Sequence, residues 1–180
     1  ELWFPGDAAP NAARGSIIDF VNEASHADAF AQLVNAAPED CTTRTTGSVP
    51  GAGLANTEAA GEQLALIIFS HCHACSRFST YTVAERLASH GFLVAAVDHV
   101  DNTLLNFIDD DGVDVSAAFL QTRGEDMKRL LDAMLSDAAP LPAAFHGRVD
   151  AQRVGIYGHS FGAATAGLVL QDDDRVIAGV

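Results

Sequence analysis

The sequence predicts an α/β chain organised around a doubly wound, mostly parallel sheet, and three observations carry that expectation. Two continuous apolar runs, Leu64–Ser70 and Phe92–Val97, have the composition of strands buried on both faces. Stretches of helical periodicity separate such runs, so strands and helices alternate. Finally, Arg153–Tyr157 runs without a break into Gly158-His159-Ser160-Phe161-Gly162, a G-x-S-x-G turn between a strand and a helix.

The elements follow in order. Glu1–Gly6 reads as a strand ending in a turn at Pro5-Gly6. Ser16–Val34 places Ile17, Phe20, Val21, Ala24, Ala27, Phe30 and Val34 at helical spacing, which predicts one helix or a pair of short ones. Residues 36–63, with Pro38, Gly47, Pro50, Gly51 and Gly53, read as loop with room for one edge strand. After the strand Leu64–Ser70, Ser79–His90 reads as a helix that Gly91 caps at its C-terminus. Phe92–Val97 is the next strand. Thr122–Ser136 is an amphipathic helix with Met127, Leu130, Leu131 and Met134 on one face. The strand before the G-x-S-x-G turn and the apolar helix Ala163–Leu170 come next, then a last strand over Arg175–Val180. This alternation predicts a parallel sheet with right-handed crossovers, in one domain over residues 1–180, without internal repeats.

Composition narrows the function classes. With 48% hydrophobic and 19% charged residues in 180, the chain can bury a substantial core. A formal charge of −14 opposes binding to nucleic acid or to an anionic membrane surface through a basic patch. The acidic runs Asp109–Asp111 and Asp172–Asp174 read as solvated loops rather than metal sites. No stretch approaches the roughly 18 apolar residues of a spanning helix. The sequence opens with neither an initiator Met nor a signal peptide, as though inside a domain. Cys41, Cys72 and Cys75 cannot all pair with one another, and three cysteines leave the cellular compartment open.

The chemistry concentrates at Ser160. A serine on a tight strand-to-helix turn stands exposed at the sheet edge, and Gly158 and Gly162 give the turn room to close around His159 and Ser160. The backbone N–H of Phe161, at the start of the next helix, points where negative charge would develop on a substrate oxygen. Chance matches to so loose a pattern are common, but the flanking strand and apolar helix meet its structural condition.

Four segments resemble the α/β-hydrolase superfamily, specifically esterases similar to platelet-activating-factor acetylhydrolase, dienelactone-hydrolase-like bacterial enzymes and polyester hydrolases. Ile67–His71 is similar to a family strand ending in Phe-Ser-His-Gly, and Leu87–His99 to the following helix, turn and strand. Arg123, Asp126 and Gly147–Asp150 resemble the segment leading to the nucleophile, and Gly158–Thr165 resembles the elbow itself. The resemblance spans residues 64–180 and implies an α/β-hydrolase fold. It implies Ser160 as nucleophile, the N–H of Phe161 as one oxyanion donor and the N–H of His73 as the other, with no cofactor. The chain departs from the family in reading His71-Cys72-His73-Ala74-Cys75 where glycines would follow the histidine, and glycine permits backbone angles that cysteine resists.

Those five residues also admit a zinc reading, but one short turn is poorly shaped to wrap four ligands around an ion, so no metal is expected. A Cys72–Cys75 disulfide or two buried thiols fit better. His71 is expected to anchor the loop, and Asp98 and His99 to brace a structural turn.

The fold's chain order is nucleophile, acid, histidine, yet no histidine follows Ser160 and the only later acids are Asp172, Asp173 and Asp174. The expectation is therefore the N-terminal two-thirds of an α/β-hydrolase domain, its C-terminal part absent and both ends trimmed. The triad Asp and His would lie outside the chain, either in a longer parent or in a second polypeptide completing the fold. The function expected is hydrolysis of a small-molecule or lipid ester (short-chain acyl, phospholipid acetyl or polyester). The alternatives are an amidase or thioesterase on the same elbow, or a non-catalytic binding pseudo-hydrolase.

Overall fold

A computed structural model describes residues 1–21, 23–37, 45–55, 63–112, 114–138 and 140–180. The strands are β1 (Leu2–Trp3), β2 (Gly6–Asp7), β3 (Gly53–Leu54), β4 (Leu64–Ser70), β5 (Leu93–Ala96), β6 (Val149–Gly158) and β7 (Val176–Gly179). The helices are α1 (Ala24–Asn35), α2 (Tyr81–Ser89), α3 (Leu104–Ile108), α4 (Ala117–Met134) and α5 (Phe161–Asp172). Five strands form one sheet in the order β1-β5-β4-β6-β7. The pairs β5-β4, β4-β6 and β6-β7 are parallel, and β1 joins antiparallel at one edge. β2 and β3 make a separate small antiparallel ribbon.

The pleat divides the apolar runs between two cores. Leu64, Leu66 and Ile68 of β4 and Leu93 and Ala95 of β5 face α4 and α5, where Met127, Leu131, Ala166 and Val169 complete one cluster. Phe69 of β4 and Val94 and Ala96 of β5 face α1 and α2, meeting Phe30, Val34, Ala84 and Ala88. Each strand is apolar throughout because it has no solvent face, and this double burial produces the layered α/β architecture.

The element boundaries are instructive. The stretch 16–34 resolves into a 3-10 turn, Ile17–Phe20, followed by α1. Gly91 has φ +93 and terminates α2 in a Schellman arrangement: the Phe92 N–H donates to Leu87 O and the Gly91 N–H to Ala88 O. α4 starts at Ala117, five residues before the periodicity announces it. Ser116 is the cause, since its side chain accepts from the Phe119 N–H and caps a polar first turn that periodicity overlooks. α3 was not anticipated. It is a single short turn started by a reciprocal Thr103–Asn106 cap, too brief to show a period. β6 is longer than expected because a register shift opposite Ala65/Leu66 extends its pairing back to Val149. The expected edge strand in 36–63 is β3, while Cys41 lies outside the described residues. Among the described residues, no helix is long and apolar enough to cross a membrane.

Candidate active site

β6 ends at Gly158 directly beside Ser70, the last residue of β4, and α5 begins only three residues later at Phe161. Reversing the chain in that space forces Ser160 to φ 56°, ψ −116°, one of four non-glycine residues at positive φ among those described. Such a conformation costs on the order of 1–3 kcal/mol and persists only where its surroundings impose it. Here the Gly162 N–H donates to His159 O (2.9 Å) and the Ala163 N–H to Ser160 O (2.9 Å), closing the turn. The His159 N–H donates to Ser70 O (3.3 Å), tying it to β4. The two glycines are needed for space rather than for backbone angle. A Cβ on Gly158 would collide with the Gly162 carbonyl, and one on Gly162 with the carbonyls of Ser70 and His71. His159 and Ser160 are exposed, and among the described residues nothing hydrogen-bonds to the Ser160 hydroxyl.

The loop after β4 lies against this turn. Cys72 and Cys75 form a disulfide with their Cα atoms 5.2 Å apart. The Cys75 N–H donates to Cys72 O (3.3 Å), and the Leu104 N–H at the start of α3 donates to Cys75 O (2.7 Å). The left-handed geometry that glycine would normally supply falls on Ala74, at φ +52, so neither cysteine adopts it. The N–H groups of His73 and Phe161 have no acceptor among the described residues. Joining the thiols removes both thiolates from any zinc set, and both ring nitrogens of His71 are already engaged.

Behind the turn lies a buried polar network: the sequence points to His71 as a loop anchor, to His99 as a brace and, by resemblance, to Arg123 and Asp126, but not to their connection. Ser70, His71, His99, Asn102 and Arg123 are all 0% exposed. Asp126 Oδ2 accepts from His99 Nδ1 (2.9 Å), and His99 Nε2 accepts from Ser70 Oγ (3.0 Å). This is a Ser–His–Asp relay in connectivity, but total burial denies Ser70 and His99 any substrate. Arg123 donates from Nε to Thr165 Oγ1 (3.0 Å), from Nη1 to Asn102 Oδ1 (2.9 Å), and from Nη2 to Ser70 Oγ (3.2 Å) and to the His71 carbonyl. Its guanidinium carbon also lies over the Phe161 ring, 4.8 Å from the ring centre. One signal could have revealed it: Arg123 continues the stripe Met127, Leu131, Met134 by one further turn, which puts a charge on the buried face of α4.

Donor logic sets the histidine states. The His99 backbone N–H donates to His71 Nε2 (3.0 Å), so that nitrogen is unprotonated and Nδ1–H donates to Cys72 O (2.6 Å). Burial, with Arg123 nearby, pushes His71 down to about 4 and His99 down to about 2, so both rings are neutral at physiological pH. Burial also lowers Arg123 to about 10, which leaves it charged, and raises the Asp126 carboxyl. Asp98 makes no hydrogen bond to this network among the described residues and accepts from the Arg77 N–H (2.7 Å) and its guanidinium, bracing the turn after β5.

Comparison with known proteins bears on the fold and the family. Residues 27–109 match the family model of platelet-activating factor acetylhydrolase, isoform II, a span that covers β4, β5 and the disulfide loop and stops before the elbow. Bovine platelet-activating factor acetylhydrolase is 32% identical over 154 residues, covering 67% of this chain and 35% of that protein. Cutinase est2 of Thermobifida alba is 38% identical over 80 residues, 44% of this chain and 21% of the cutinase. The solved structure of a ferulic acid esterase from Streptomyces cinnamoneus superposes with a TM-score of 0.71 at 27% identity, over 97% of this chain and 48% of the esterase. The chain therefore spans about a third of the length of the acetylhydrolase and about half of the esterase structure. With its sheet order, strand-to-helix turn and relatives taken together, the chain is a member of the α/β-hydrolase superfamily, related to its serine esterases.

Proposed function

We propose that the protein hydrolyses carboxylic esters through an acyl-enzyme on Ser160. The observation that carries the reading is Ser160 itself: an exposed hydroxyl held at strained backbone angles on a turn that two glycines alone make possible. Its Oγ attacks the ester carbonyl, and the oxyanion that forms accepts from the N–H groups of Phe161 and His73, both without another acceptor among the described residues. The tetrahedral intermediate collapses by breaking the bond to the alcohol, which leaves with the proton the general base took from the Ser160 hydroxyl; water then hydrolyses the acyl-enzyme to the acid and restores the hydroxyl, and no cofactor takes part. The general base and its acid partner come from outside residues 1–180, since no histidine follows Ser160 and none touches its hydroxyl. The relatives named above do not support a second polypeptide as their source. The substrate is a small-molecule or lipid ester, short-chain acyl, phospholipid acetyl or polyester, a range that relatives named platelet-activating factor acetylhydrolase, cutinase and ferulic acid esterase support as ester chemistry.

The test is fluorophosphonate labelling of the full-length protein, with peptide mapping and an assay on p-nitrophenyl acyl esters beside the matching amide and thioester. Labelling at Ser160 and ester turnover, both lost in Ser160→Ala, are expected. Ester turnover surviving in Ser160→Ala would overturn the assignment, and an unlabelled, inactive protein would make it a binding module.

A further inference from the structure

Two backbone N–H groups on different segments make an oxyanion hole only if something fixes their mutual angle. The Phe161 N–H belongs to the first turn of α5, and the His73 N–H to the disulfide loop after β4. The direct bond between the segments, from the His159 N–H to Ser70 O, ties the elbow to the end of β4 and not to the loop residues that carry the His73 N–H, so the placement of that loop against Phe161 needs a further support.

We propose that Arg123 is the positioning residue of this oxyanion hole, its buried guanidinium holding the Phe161 and His73 segments in one frame; the inference rests on the reading of Ser160 as nucleophile. One arm reaches α5. Nε donates to Thr165 Oγ1, Thr165 in turn donates to the Phe161 carbonyl (3.1 Å), and the guanidinium carbon lies over the Phe161 ring. The other arm reaches the loop. Nη2 donates to the His71 carbonyl, and Nη1 to Asn102 Oδ1, whose Nδ2 donates to His73 Nδ1 (3.1 Å). A third contact, to Ser70 Oγ, ties the fork to the end of β4, and the Ser70–His99–Asp126 chain stiffens that end. The planar fork is the reason for arginine here, since a lysine ammonium has no fixed plane with which to span acceptors on both sides of the turn.

The test compares kcat and KM of the full-length protein on an aryl acyl ester and on its thionoester, whose C=S sulfur is a poor guest in a hole built for oxygen. Wild type, Arg123→Met, Arg123→Lys, Thr165→Val and Asn102→Ala are assayed well below their melting temperatures. The expected result for both Arg123 variants is a kcat on the ester lower by about 100-fold at little-changed KM, the scale of losing one oxyanion donor. The ester-to-thionoester rate ratio falls with it, and Arg123→Lys does not restore the ratio. Thr165→Val and Asn102→Ala each cut one arm and lower the ratio by about 10-fold, a share of the same loss. A merely structural residue would reduce both substrates equally, so a folded Arg123 variant with the wild-type ratio overturns the proposal. Where the Arg123 variants do not fold, unchanged ratios in both arm variants overturn it. Wild type that is not phosphonylated at Ser160 overturns the nucleophile assignment, and the proposal with it.

Discussion

Acidification should destabilise this fold through two histidines that are nowhere near solvent. His71 and His99 are 0% exposed and neutral, with folded values of about 4 and about 2 against 6.5 when unfolded. The unfolded chain therefore binds more protons than the native one below pH 6.5, and stability falls as pH falls. The stabilisation is fully present above the unfolded value and is lost progressively as pH drops toward each folded value. At about pH 5 the unfolded imidazoles are almost fully protonated and the folded ones are not, so each residue costs about 2 kcal/mol relative to about pH 7.5. Together that is about 4 kcal/mol, a large part of the stability of an ordinary domain. Asp126 works in the opposite sense, because its raised carboxyl takes a proton more readily in the native state. Urea unfolding at the two pH values measures the difference. His71→Asn and His99→Gln keep one hydrogen-bonding nitrogen or oxygen without the titration, and each should flatten the profile by about 2 kcal/mol. A wild-type profile flat between these pH values, or one that both variants leave unchanged, would refute the donor logic that makes these rings neutral.

Gly162→Ala should unfold or strongly destabilise the chain, by about 3 kcal/mol or more, because its Cβ meets the backbone carbonyls of Ser70 and His71, which cannot move independently of β4; thermal melting reads this directly. Ser160→Gly should do the reverse, raising stability by about 1 kcal/mol as the positive φ becomes unstrained while phosphonate labelling disappears. Met127→Ala removes a fully buried side chain between α4 and the sheet and should cost about 2–5 kcal/mol in denaturant unfolding, without changing the ester-to-thionoester ratio. Reducing Cys72–Cys75 with dithiothreitol, or replacing both cysteines by serine, frees the loop that carries His73 and should lower kcat while shifting Tm by only a few degrees. A Tm loss as large as that of Met127→Ala would instead make the bridge a clamp on the whole fold.

The parts of this molecule visible in the sequence are those whose physics is local. β4 and β5 declare themselves because double burial makes every residue apolar, Gly91 because a Schellman end needs positive φ, and Ser160 because its turn demands two glycines at fixed offsets. What stayed hidden depends on distance along the chain. Ser70 meets His99 across 29 residues and Arg123 across 53, and no spacing announces such a meeting. The opening strand was legible over Glu1–Gly6, but not its antiparallel place beside β5, and the single turn α3 is too short to carry a period. The His71–Cys75 loop was legible in its departure from the family's glycines but not in its resolution. The strain moved to Ala74, and the disulfide chose between alternatives that sequence left open.

The polar network behind Ser160 is a poor device for stability, and that bears on what it is for. Burying a guanidinium carries a desolvation cost that well-packed apolar side chains of the same volume would avoid. Both arrangements would fill the space between α4, α5 and β4. Apolar packing, however, is non-directional and tolerates sliding of one element over another, whereas a fork with acceptors on Thr165, Asn102, Ser70 and the His71 carbonyl admits one relative placement of the elements that carry them. Those elements hold the strained Ser160 turn on one side and the disulfide loop on the other. A misplacement of about 1 Å between reacting groups can cost on the order of 100-fold in rate. With Ser160 as the proposed nucleophile, directional bonding sits where an angle would matter to its chemistry, while the apolar clusters on the two faces of the sheet supply the stability that the network does not.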